Sequence, residues 1–150
     1  MPIVFVIGRV LFVVYFIFAG LQRLMNVTVS AEFFAQKFAV PAALANLSTQ
    51  VEALVGLSTA TLLAMLAGVI QLAAGLLIAF NVGTRAMAIV LIVCTGLAIY
   101  YGDNFWDLES PQRDIALVHA VLHASLIGGL LMLVALGAWL PGEPDRKADV

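Results

Sequence analysis

Four apolar runs dominate this chain, at residues 3–24, 62–80, 84–101 and 114–140. Each reaches or approaches the roughly 20 mainly apolar residues that a helix needs to cross a bilayer. A chain of 150 residues cannot hide so much apolar surface in one water-soluble core. Hydrophobic residues make up 63% and charged residues 11%, against about 45–50% and about 25% in soluble domains. The sequence therefore predicts an all-α fold: a transmembrane four-helix bundle in a lipid bilayer. Residues 1–140 form its single domain, and residues 141–150 form a polar C-terminal tail that begins at Pro141 and Gly142. The last run is longer than a span requires, so it tilts or leaves its first turn in the interface.

The first run is expected to stay as a span. A cleaved signal opens with a basic stretch, and here no basic residue precedes Arg9. Formal net charge is −2, which gives no electrostatic footprint for nucleic acid. The single cysteine, Cys94, permits neither an internal disulfide nor a CxxC pair.

Between the first two runs lies "NVTVSAEFFAQKFAVPAALANLSTQVEALVGLST". It predicts a short surface or re-entrant helical segment. Ser30 is the expected N-cap of a helix. Phe33, Phe34 and Phe38 form its apolar face, and Val40 ends it before Pro41. A second helix runs from Pro41, either separate from the second span or continuous with it. Glu52 then lies in the interface or is a buried carboxylate. "NVGT" marks a tight turn between the second and third spans. The acidic loop "YGDNFWDLESPQR" joins the third and fourth, and it holds Phe105 and Trp106, aromatic types that favour the headgroup level.

Four spans place both termini on one side of the membrane. That side carries Arg9, Arg85, Arg146 and Lys147, and the other carries Arg23, Lys37 and Arg113. The positive-inside rule thus leans towards cytoplasmic termini.

Polar residues inside the spans are the candidate functional groups. Arg9 lies roughly 9 Å below the terminal-side surface. It either snorkels to the headgroups or faces the bundle on a stripe with Phe12, Phe16, Gly20 and Arg23. Gln71 lies roughly 14 Å deep, where lipid offers an amide no partner. Small residues at four-residue spacing, Ala64 with Gly68 and Gly75 with Ala79, favour close helix packing around it. Arg9 and Gln71 are expected to share one polar layer. His119 and His123, in "IALVHAVLHASLIGG", are one turn apart on one helix face. Such a pair can join helices by hydrogen bonds, relay protons, or contact a quinone or haem. A bis-histidine haem needs imidazoles from opposite sides, and no third metal ligand is near, so no metal site is assigned.

Several stretches resemble the DoxX family of small bacterial four-span membrane proteins. "GRVLFVVYFIFAGLQRLM" matches that family's opening through Arg9, Gly20 and Arg23. "GVIQLAAGLLIAFNVGTRAMAIVLIVCTGLAIY" matches its second and third spans through Gly75, Thr84 and Arg85. "NFWDL" supplies the aromatic pair before the last span. The likeness omits residues around 40–60 and the tail. Where the family often has a glutamate, this chain has Gln71, so any proton transfer by that carboxylate is lost or moved to Glu52 or the histidines. The resemblance adds Arg85 to the expected layer of Arg9 and Gln71. It implies a bacterial plasma-membrane protein associated with quinone-linked oxidoreductase assemblies, as an anchoring or accessory subunit with protein partners. A small-solute or ion permeation protein and a structural assembly factor are the alternatives. No catalytic triad, nucleotide motif or carboxylate dyad marks an autonomous enzyme, so no catalytic residue is assigned.

Overall fold

A computed structural model describes residues 2–37 and 45–136. Among these residues there is no strand. The helices are α1 (Pro2–Met25), α2 (Val27–Lys37), α3 (Ala45–Val55), α4 (Thr59–Ala79), α5 (Thr84–Leu97) and α6 (Gln112–Leu136). Long apolar helices of spanning length are Ile3–Met25, Thr59–Ala79, Thr84–Asp107 and Gln112–Leu136. The expected four-helix membrane bundle is present. The tail beyond residue 136 lies outside the described residues.

α1 and α4 are the most tightly joined pair, because glycine lets their backbones approach. A Cβ built on Gly20 would stand 2.6 Å from the Leu72 nitrogen and 2.8 Å from the Gly68 carbonyl oxygen. Gly75 lies against Ile17, and a Cβ there would come within 2.8 Å of Ile17 Cγ1. Lipid is as apolar as leucine, so close van der Waals packing of this kind is what holds membrane helices together. Residue numbers rise along α1 as they fall along α4, which makes the pair antiparallel. α4 then packs on α5, and α5 on α6. α6 returns to α1 mainly through long side chains: Phe12 lies over Gly129, and Tyr15 reaches His123.

Three places in the connections decide what the sequence left open or misplaced. α2 starts at Val27, so Ser30 does not cap it. The Ser30 amide already makes a helical bond to the Asn26 carbonyl at 3.0 Å. Its hydroxyl donates to the Arg23 carbonyl at 3.4 Å instead. The chain bends at Asn26 and does not restart, because nothing there interrupts helical hydrogen bonding. Of the expected apolar face, Phe34 is buried and Phe33 exposed, while Phe38 and Val40 lie outside the described residues. Secondly, of the two courses open to the helix before the second span, the separate one is found, and α3 is not continuous with α4. Gly56 has φ +72°, and Ser58 caps α4 by accepting from the Thr61 amide at 3.3 Å. Glu52 ties the two helices across the break. Its Oε1 accepts from the Thr59 amide at 2.6 Å and the Thr59 hydroxyl at 2.7 Å. These bonds favour the ionised form and hold the carboxyl below the usual glutamate range. Thirdly, α5 winds as an α-helix only to Leu97. It continues as a π-helical turn (Ala98–Asp103) and a 3-10 turn (Phe105–Asp107).

The turn between α4 and α5 is tight, as the sequence predicts. Asn81 has φ +62°, the Val82 amide bonds to the Leu77 carbonyl at 2.8 Å, and the Asn81 amide bonds to Ile78 at 3.0 Å. This pattern is a Schellman cap with asparagine at the left-handed position. Inside the bundle, Val13, Phe16, Ile78, Leu91 and Leu130 form a dry core with almost no exposure. The half of the bundle toward the α5–α6 connection is different: polar side chains gather there.

Candidate functional site

Asp103 ends the π-helical turn, and the wider winding carries its side chain back into the bundle. It is 8% exposed. Its Oδ2 lies 2.8 Å from His123 Nδ1, on the facing helix α6. The other ring nitrogen, Nε2, lies 3.3 Å from the Tyr15 hydroxyl on α1. An ionised carboxylate can only accept, so the ring donates from Nδ1 and Nε2 accepts from Tyr15. Three helical elements thus contribute one hydrogen-bonded line, Asp103–His123–Tyr15. Pairing with the carboxylate fixes the ring's tautomer and orientation and leaves Nε2 as the acceptor nitrogen, open to another donor whenever the tyrosine hydroxyl moves away.

This line stands between two spaces. On one side is a cleft of about 720 Å³ between α1 and α6, lined by Phe12, Tyr15, His119, Leu122, His123, Ser125 and Leu126. On the other is an inner chamber of about 210 Å³, lined among others by Arg23, Gln71, Thr95, Asp103 and the same tyrosine and histidines. The cleft wall is mostly apolar, and the chamber wall is of mixed polarity. An apolar cavity of about 200 Å³ adjoins the chamber beneath α2 and shares Arg23, Phe33 and Gln71 with it. Gln71 is 9% exposed, and among the described residues its Oε1 has no hydrogen-bond partner.

Arg9 is elsewhere. Its Nη1 donates to Asn81 Oδ1 at 2.6 Å, and its Nη2 lies 3.5 Å from the Ala79 carbonyl oxygen. The same Asn81 oxygen accepts from the Thr84 hydroxyl at 3.1 Å. The Phe5 ring lies 5.9 Å from the guanidinium carbon. Arg9 is 7% exposed, so it faces protein and does not snorkel.

The expected layer of Arg9, Gln71 and Arg85 does not form. The antiparallel register of α1 and α4 sets Arg9 beside Asn81, and Gln71 lies eight residues before Ala79, or roughly 12 Å along the helix. An arginine meets the partner at its own level. Arg85 is exposed at the start of α5. The histidines also part company: His123 is inside the line, whereas His119 is exposed on the cleft wall. Trp106 is 48% exposed and packs near Tyr100, with ring centroids 5.5 Å apart, and Phe105 is half-buried beside it.

Sequence reasoning missed Asp103, Tyr15 and Asn81. Asp103 read as one more acid of a solvated loop. The available signal was the histidine itself: an imidazole near mid-bilayer requires a partner, and Asp103 is the acid nearest the third span. Tyr15 carried no signal beyond its place in an aromatic run. Asn81 was read for its turn conformation and not for its side chain.

No curated protein and no solved structure is recognisably similar to this chain. The DoxX family model matches residues 4–104, a stretch that runs from α1 to the end of the π-helical turn and includes Tyr15, Arg23, Gln71 and Asp103. A match over more than half of the chain, on a bundle of four membrane-spanning helices, places this protein in the DoxX family.

Proposed function

We propose that this chain is a quinone-binding membrane subunit of an oxidoreductase assembly, seated in a bacterial plasma membrane with both termini in the cytoplasm. The observation that carries the reading is the Asp103–His123–Tyr15 line on the wall of an apolar cleft. A quinol headgroup needs apolar surroundings for its ring and one group that takes a hydroxyl proton. His123 Nε2 is such a group, and Asp103 balances the charge that results. Oxidation of a quinol releases two protons and two electrons. The electrons pass to a redox group of a partner subunit, His123 Nε2 accepts one proton, and the second passes to water.

A continuous permeation path is less well supported. The dry core of Phe16, Ile78, Leu91 and Leu130 separates the chamber from the Arg9–Asn81 pair. The test is saturable binding of a short-tailed quinone to the protein in nanodiscs, read by tryptophan quenching. The expected result is binding that weakens about tenfold in His123→Leu, which corresponds to roughly 1.4 kcal/mol. Equal binding by the variant would overturn the reading. Membranes lacking this chain should also lose part of their quinol oxidation.

A further inference from the structure

Arg23 and Gln71 are polar groups that the quinone reading does not use. Arg23 is half-buried near the end of α1, with its guanidinium carbon 5.8 Å from the centre of the Phe34 ring. Among the described residues its guanidinium has no hydrogen-bond acceptor. Gln71, nine-tenths buried on α4, has an unpartnered Oε1. Both residues line the inner chamber and the apolar cavity beside it. A half-buried cation without an acceptor, on the same cavity wall as a buried amide, is a place where an anion finds hydrogen-bond donors.

The chemistry of the walls narrows what that something is. The nearby carboxylate, Asp103, is committed to His123. It does not neutralise Arg23, but it disfavours a dianion. One cation therefore suits one negative charge. Phe34, Leu63, Leu66, Ile70 and Leu97 line the adjoining cavity and call for an apolar tail. Two cavities of about 200 Å³ each take one short chain more readily than the two chains and phosphodiester of a phospholipid. We infer that this chamber binds an apolar-tailed monocarboxylate, its head on Arg23 and Gln71 and its tail in the cavity under α2. Arg23 donates to the carboxylate. The Gln71 amide offers Nε2–H to the second carboxylate oxygen, while its Oε1, an acceptor, makes no bond to the anion.

The probe is isotope-labelled decanoate, dialysed to equilibrium against the full chain in nanodiscs of zwitterionic lipid, with empty discs as background. Binding should be saturable. Arg23→Gln should weaken it about tenfold or more, the loss expected of a charge-assisted hydrogen bond, and Arg23→Lys should restore part of it. Gln71→Leu should weaken it by a smaller factor. Decanol and decylamine should not compete. Decanoate binding that decanol displaces as well as decanoate itself would overturn the proposal, since only the tail would then be recognised. Unaltered binding in a folded Arg23→Gln protein would do the same. If anionic phospholipid in the disc displaces decanoate, the site serves a lipid headgroup and the free acid is not its ligand. Failure of quinone binding in His123→Leu leaves these outcomes untouched.

Discussion

Asp103 and His123 belong to different helical elements, twenty residues apart, and share one hydrogen bond of 2.8 Å inside the bundle. The bond closes α5 onto α6 at the end opposite the dry core. Asp103→Leu would leave Nδ1–H without an acceptor and should cost about 1–2 kcal/mol of stability. The double variant with His123→Leu should lose less than the sum of the two single changes, with a coupling of about 1 kcal/mol. Thermal unfolding in one detergent checks both values. Strict additivity would mean that the bond contributes nothing.

Asn81 has two separable duties, a left-handed backbone and an acceptor for Arg9 and Thr84. Asn81→Gly keeps the first and loses the second, and should cost about 1.5–3 kcal/mol because the lost bond is to a charged donor. Asn81→Ala loses both and should cost roughly 1 kcal/mol more. Arg9→Leu should make the difference between asparagine and glycine shrink. Denaturation of the natural protein, the three single variants and the Arg9→Leu/Asn81→Gly double variant in parallel decides the matter, and an equal cost for glycine and alanine would contradict it.

Glycine substitutions should sort by what a methyl group meets. Gly20→Ala drives a Cβ into the α4 backbone at Leu72 and should cost on the order of 1–3 kcal/mol by forcing the helices apart. Gly96→Ala meets nothing within 4 Å and should change stability by less than about 0.5 kcal/mol, or raise it slightly. A neutral Gly20→Ala would show that α1 and α4 are looser than drawn.

Glu52 gives a pH dependence with a definite sign. Thr59 hydrogen bonds lower its folded-state pKa. Its contribution is therefore present above the ordinary glutamate value and is lost as pH falls through the lowered one. Acidification should release α3 from the start of α4 before the spans are affected. Hydrogen exchange across residues 45–58 should rise at acid pH in the natural protein. In Glu52→Gln it should be fast at every pH, with no acid step.

Much of this architecture was legible in the sequence because lipid imposes a simple rule. Apolar runs of spanning length become helices, and Gly20, Gly68 and Gly75 sit where small residues must sit for close packing. The polar site was not legible to the same degree. Its geometry depends on helix register, which hydropathy does not encode. A shift of a few residues along α1 decides whether Arg9 meets Gln71 or Asn81, and the second is what occurs. The π-helical turn that buries Asp103 is equally silent, since nothing in "AIYYGD" announces one extra residue per turn. His123 was recognised as a candidate, but its partners were not.

The uneven closure of the bundle has a last consequence. α1 is bound to α4 backbone to backbone at Gly20, whereas it meets α6 through the tips of Phe12 and Tyr15. Long side chains can change rotamer without unpacking a helix, so the α1–α6 seam is the side of the bundle that opens at least cost. An occupant arriving by that route comes sideways from the acyl chains and not from water. Its occupancy then follows its mole fraction among the lipids, so a compound at trace aqueous concentration fills the site if it partitions strongly into the bilayer, and membrane composition becomes a dial on the protein.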